Sequence, residues 1–145
     1  MTRILGVGSP FGADRLAWDA IDHLSGMDLG EVELVKLDRP GSGLLAYFNG
    51  VEQLILLDAV LLDTEPGGVS LLDPGQLDGL PSATSSHGFG VAQALELGQR
   101  LGCLPGRLQL VGIHTGADLS TPPNLDTAGL ERLIRCLLPE SVCRP

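Results

Sequence analysis

The run Gln53-Leu54-Ile55-Leu56-Leu57-Asp58 constrains the fold more than any other segment of this chain. Four consecutive large apolar residues have no polar face to turn to water. They suit a central strand of a parallel sheet, buried on both faces, better than a half-solvated antiparallel strand. Further strands are expected at Arg3–Gly8, closed by glycine, at Val32–Leu37, at Val69–Leu72 and at Arg107–Ile113. Helices are expected over Asp14–Leu24, Leu44–Asn49, Gly88–Leu101 and Asp126–Leu137; in the first, Leu16, Ala20, Ile21 and Leu24 share one face and Gly26 supplies the stop. Pro66-Gly67-Gly68 is turn chemistry. No helix fits between the Gln53 strand and Val69–Leu72, so the latter is expected to run antiparallel. A loop rich in Pro, Gly, Ser and Thr is expected over Asp73–Ser86. The alternation predicts an α/β fold: a three-layer α/β/α, doubly wound arrangement around a mostly parallel five-stranded sheet with one antiparallel strand. With no repeat and no linker, residues 1–145 are expected to form a single domain.

Composition narrows the chemistry. Aromatic residues are 3% of the chain, so the core must be built from Leu, Val, Ile and Ala. The net charge is −9 and no Lys/Arg cluster offsets it, which argues against nucleic acid as a partner and suits small cations or a basic surface better. Cys103, Cys136 and Cys143 form no CxxC pair, and an odd, sparse set reads as reduced thiols in a cytoplasmic protein. Met1–Gly6 lacks a signal-peptide core. The longest apolar stretch, Leu54–Leu62, is interrupted by Asp58 and falls short of the ~20 residues of a membrane span, so no membrane association is expected.

In doubly wound sheets ligands sit beyond the carboxyl ends of the strands. Asp14, Asp58 and His87 all fall on that edge. An ionised carboxylate at the end of a buried strand costs several kcal/mol unless it is paired or meets a cation, which singles out Asp58. Ser85 or Ser86 is expected to cap the third helix and to place His87 in its first turn, where the helix dipole favours the neutral imidazole that a metal requires. Asp14 has a second reading as an ordinary helix cap. Two carboxylates and a histidine suit nickel, zinc or cobalt rather than calcium. A rival reading starts from Gly6-Val7-Gly8-Ser9-Pro10-Phe11-Gly12, which invites comparison with a dinucleotide loop, with Asp38 positioned for a ribose. Against it, the third glycine comes one position late, Pro10 lacks an N–H, and Asp14 would repel a phosphate. A non-catalytic metal- or nucleotide-binding α/β module is thus the alternative to an enzyme.

Several pieces in order resemble the hydrogenase maturation endopeptidases: Ile4-Leu5-Gly6-Val7-Gly8-Ser9-Pro10, Asp14, Leu57-Asp58-Ala59, Pro66-Gly67-Gly68-Val69, Ser85-Ser86-His87, Leu110-Val111-Gly112-Ile113 and Asp118-Leu119-Ser120. The resemblance spans nearly the whole chain. It implies a peptide hydrolase that removes the C-terminal extension of a nickel–iron hydrogenase large-subunit precursor once nickel is in place. Asp14, Asp58 and His87 would then recognise the metal and carry the catalytic site. The nickel would be supplied by the nickel-loaded precursor rather than held as a resident cofactor, and the enzyme would act as a monomer. The chain departs from the family at Ser9, where Asn is usual, and at Ala13-Asp14, where an acidic pair is usual. Counting forward from Gly8 without a gap puts Arg15 at the first ligand position; the register of the helix, with acid, two residues and then a small residue in Asp14-Arg15-Leu16-Ala17, puts Asp14 there. Two cleavage chemistries are compatible: water or carbonyl polarised by the metal, and a carboxylate acting as general base on water. Arg15 and Arg39 read as docking groups or as solvated surface charge.

Overall fold

A computed structural model describes residues 1–62, 64–73 and 90–139. Five strands, β1 (Thr2–Gly8), β2 (Val32–Asp38), β3 (Gln53–Val60), β4 (Val69–Leu72) and β5 (Arg107–His114), form one sheet in the order β2-β1-β3-β5-β4. β1, β2, β3 and β5 are parallel, and β4 pairs antiparallel with β5 at the edge, as expected. The helices α1 (Leu16–Ser25), α2 (Val91–Leu101) and α3 (Thr127–Leu137) complete an α/β fold. Gly12–Arg15 and Gly41–Tyr47 are 3-10 helices.

Strand alternation sorts the core into two layers. Ile4, Ile55, Leu57, Ala59, Val111 and Ile113 turn towards α1 and α3, meeting Leu16, Ala20, Leu24, Leu130 and Ile134. Leu5, Val7, Leu54, Leu56, Val60 and Leu110 turn the other way, towards Phe48, Val91, Ala94 and Leu95. Every residue of β3 is buried, as the continuous apolar run requires.

Four elements differ from expectation by two residues or more. β3 continues past Asp58 through Ala59 and Val60, because β5 runs alongside and pairs with both. The α-helix expected from Asp14 begins at Leu16, and Asp14 lies in the tighter 3-10 turn before it. α2 begins at Val91 rather than Gly88, with Gly90 as its cap and the Gly90 N–H donating to Gln93 Oε1 at 3.0 Å. The helix expected over Leu44–Asn49 starts three residues earlier and is a 3-10 helix, Gly41–Tyr47. Most of the expected Asp73–Ser86 loop, and the caps Ser85 and Ser86, lie outside the described residues.

Gly6 and Gly8 serve packing. A Cβ on Gly6 would stand 2.6 Å from Ile21 Cγ1, and one on Gly8 would stand 2.2 Å from the Asp14 carbonyl oxygen. The glycines thus let α1 and the turn before it lie directly on β1, which accounts for the glycine-rich turn without a phosphate.

Candidate active site

The strand order places the reversal of winding between β1 and β3. From β1 the chain crosses on the α1 face to β2, and from β3 it continues on the α2 face to β5. Loops leaving these two strands therefore diverge to opposite sides of the sheet and open a crevice at their carboxyl ends, the usual ligand position in such folds. Asp14 and Asp58 flank this point. Asp58 pairs with Val7 of β1 and Gly112 of β5, and the 3-10 turn that carries Asp14 packs against β3.

Asp58 is 5% exposed and shares the α2 face of the sheet with Leu56 and Val60 by alternation. Asp14 is half-buried. Its backbone carbonyl accepts from Ser9 N–H at 3.1 Å, while its side chain caps neither helix. Among the described residues its Oδ1 is buried without a hydrogen-bond partner. Burial pushes the Asp14 carboxyl above the ordinary carboxylate value; a hydrogen bond from the buried Ser9 hydroxyl and the Arg39 guanidinium oppose this, and the Asp38 charge adds to it. Arg15 is exposed and pairs with Asp19 at 3.2 Å, turned away as a surface ion pair. Arg39 is the one described non-glycine residue with positive φ, at 42°. Its N–H donates to Gly8 O at 2.9 Å, and its Nε lies 3.1 Å from Asp38 Oδ1, so the β2 end is tied to the β1 end beside Asp14.

His87 lies outside the described residues. Among the described residues no three His, Cys, Asp or Glu side chains gather as a metal-binding group, so Asp14 and Asp58 are the part of the expected trio that the fold brings to one edge. Reading the sequence missed two residues there. Ser9, 2% exposed, supplies the hydroxyl to Asp14. His114, 5% exposed, ends β5 on the α2 face, diagonal to Asp58 across Gly112. Its Nδ1 accepts from Leu62 N–H at 2.9 Å, which leaves the proton of the neutral ring on Nε2. The signal for His114 was the one that revealed Asp58: a polar residue closing a buried apolar run.

The sheet and its carboxyl-edge acids define a doubly wound α/β protein with two carboxylates at the winding reversal. The family model for hydrogenase maturation protease, HycI, matches residues 19–122, well over half of the chain and including Asp58. The chain belongs to that family and is a peptide hydrolase of hydrogenase maturation. Solved structures agree in fold. The hydrogenase maturating endopeptidase HybD of E. coli is 21% identical, with 94% of this chain and 91% of that chain covered and a TM-score of 0.66. A hydrogenase 2 maturation peptidase from a Thaumarchaeota archaeon is 25% identical, with 98% and 97% covered and a TM-score of 0.60. The NiFe hydrogenase maturation protease HybD of Thermococcus kodakarensis is 19% identical, with 99% of both chains covered and a TM-score of 0.65. No match is found among curated proteins. Among the described residues no helix is long and apolar enough to cross a membrane.

Proposed function

We propose that this endopeptidase removes the C-terminal extension of a nickel–iron hydrogenase large-subunit precursor, and that it recognises the nickel already seated in that precursor through Asp14, Asp58 and His87. The observation that carries this reading is the buried Oδ1 of Asp14, unpartnered among the described residues, at the winding reversal that Asp58 also flanks. A desolvated carboxylate oxygen with no donor is an acceptor in want of a cation. Two carboxylates and an imidazole fit a borderline divalent metal. The metal is part of the substrate, so the site acts as a checkpoint that admits only loaded precursor. The Ser9 hydroxyl orients Asp14, and Arg39 holds the neighbouring loop. The acidic surface suits a partner with a basic face, and the enzyme acts as a cytoplasmic monomer.

The test is to incubate nickel-loaded precursor with the protein and to weigh the product. Loss of a C-terminal peptide is expected. An unchanged mass, with folded protein and the cognate precursor, contradicts the reading. Protection of the protein against heat by NAD or ATP would instead favour the nucleotide-binding alternative.

A further inference from the structure

Among the described residues six large apolar side chains are exposed: Met1, Phe11, Leu61, Leu71, Leu101 and Leu119. Met1 precedes β1 and Leu101 ends α2, both at the amino edge, and Leu71 lies in the edge strand β4. The other three leave the carboxyl ends of β1, β3 and β5, around Asp14 and Asp58. Phe11 is 70% exposed and Leu119 53% exposed.

These two stand on loops that are stitched together. Ala13 N–H donates to Leu119 O at 2.9 Å. Gly12, at φ 56°, lies so close that a Cβ would be 2.4 Å from that same carbonyl oxygen. On the other side of Leu119, Asp118 Oδ1 accepts from Ser120 N–H at 2.9 Å and from Ser120 Oγ at 2.6 Å. Phe11 N–H reaches Ser9 Oγ at 3.4 Å. Backbone bonds therefore hold two large apolar side chains out into water at the mouth of the site. Exposed apolar side chains carried on two bonded loops beside a functional site suit the binding of a partner.

We propose that Phe11 and Leu119 form an apolar rim that seats the precursor segment beside the scissile bond, through a large apolar side chain of that segment. This rests on the endopeptidase reading above. A polypeptide whose scissile bond lies at the crevice between β1 and β3 runs over the loops that leave β1 and β5, and these carry the rim. The rim is continuous with Asp14, because Leu119 is bonded to the residue that precedes it. The rim selects which peptide is presented, whereas Asp14 and Asp58 act at the metal.

The test measures kcat and KM of the full-length protein on nickel-loaded precursor. Phe11→Ser and Leu119→Ser should each raise KM about tenfold, the loss expected when a buried apolar contact is removed, with kcat nearly unchanged. Leu101→Ser, at the opposite end, should change neither value. All three variants should melt at the wild-type temperature, since the side chains are exposed. As a second measurement, a precursor whose apolar residue beside the scissile bond is changed to Ser should raise KM for the wild type and raise it less in Phe11→Ser, where only Leu119 remains to be lost. Unchanged KM in both rim variants, with the wild type active, overturns the rim and leaves the peptidase reading standing. The same follows if Leu101→Ser raises KM equally, or if the wild type is a dimer that Phe11→Ser dissociates, for the patch then belongs to a second copy. A wild type that leaves loaded precursor uncut overturns both readings together.

Discussion

The two ends of the same sheet bury different polar groups. At the amino end, Thr2, Gln53 and Gln109 are neutral and satisfy one another: Thr2 Oγ1 donates to Gln53 Oε1 at 2.9 Å, and Gln53 Nε2 donates to Gln109 Oε1 at 3.0 Å and to Leu137 O at 2.7 Å. At the carboxyl end ionisable groups join the buried, bonded hydroxyls of Ser9 and Thr115. Asp14 has a buried oxygen without a partner among the described residues, Asp58 is a buried carboxylate, His114 is a buried imidazole, and beside them the exposed Arg39 has positive φ. Polar burial at the first end closes on itself and ties α3 to β3. At the second end one oxygen, Asp14 Oδ1, is left over among the described residues, and unmet valence of that kind collects where a protein acts on something else.

The comparison can be broken most sharply at Asp58. Asp58→Asn keeps the shape and removes the charge; processing of loaded precursor should fall about a thousandfold or more while the melting curve stays cooperative. Retained processing would remove Asp58 from the site. Gly8→Ala comes next. Its Cβ would meet the Asp14 carbonyl at 2.2 Å, so the turn must shift. A loss of about 1–3 kcal/mol in denaturant unfolding and a fall of about a hundredfold in processing are expected from so small a displacement. At the amino end, Gln53→Leu should leave Thr2 and the Leu137 carbonyl short of a partner and cost about 2–3 kcal/mol, or roughly 5–10 °C in Tm, with kcat/KM unchanged at temperatures where the variant is folded. A change in kcat/KM would erase the division between the two ends.

The smallest effect concerns pH. Burial raises the Asp14 carboxyl in the folded protein, so the fold favours its protonated form. The ionised group therefore subtracts from stability at neutral pH, and that loss disappears as pH falls through the raised folded value. Asp14→Asn should raise Tm slightly at pH 7, and the gap should close below the ordinary carboxylate value of 3.8. A variant less stable than wild type at pH 7 would mean that Asp14 is held by contacts that favour its charge.

The architecture was legible because its signals are collective. The apolar run of β3, the glycines that let α1 approach β1, and the absence of a helix before Val69 each pointed to a mostly parallel sheet with one antiparallel strand. Boundaries were less legible, because they depend on neighbours distant in sequence. Asp58 lies inside β3 only because β5 extends to His114. The start of α2 is set by Gln93 reaching back to Gly90, a weaker signal than the serines upstream. In the site, the choice between Asp14 and Arg15 rested on helix register, and the fold turns Arg15 to Asp19 and leaves Asp14 beside Ser9. His114 was passed over because a lone strand-end histidine has no motif, and its placement diagonal to Asp58 follows from register alone.

Recognition through the substrate's own metal is the central claim, and the most direct measurement compares two forms of one precursor. Nickel-loaded and nickel-free large-subunit precursor should be incubated with the wild-type protein under the same conditions and weighed over time. The account predicts that only the loaded form loses its C-terminal peptide. Equal cleavage of both forms would contradict it, because carboxylates at the carboxyl edge would then be cutting without reading the metal.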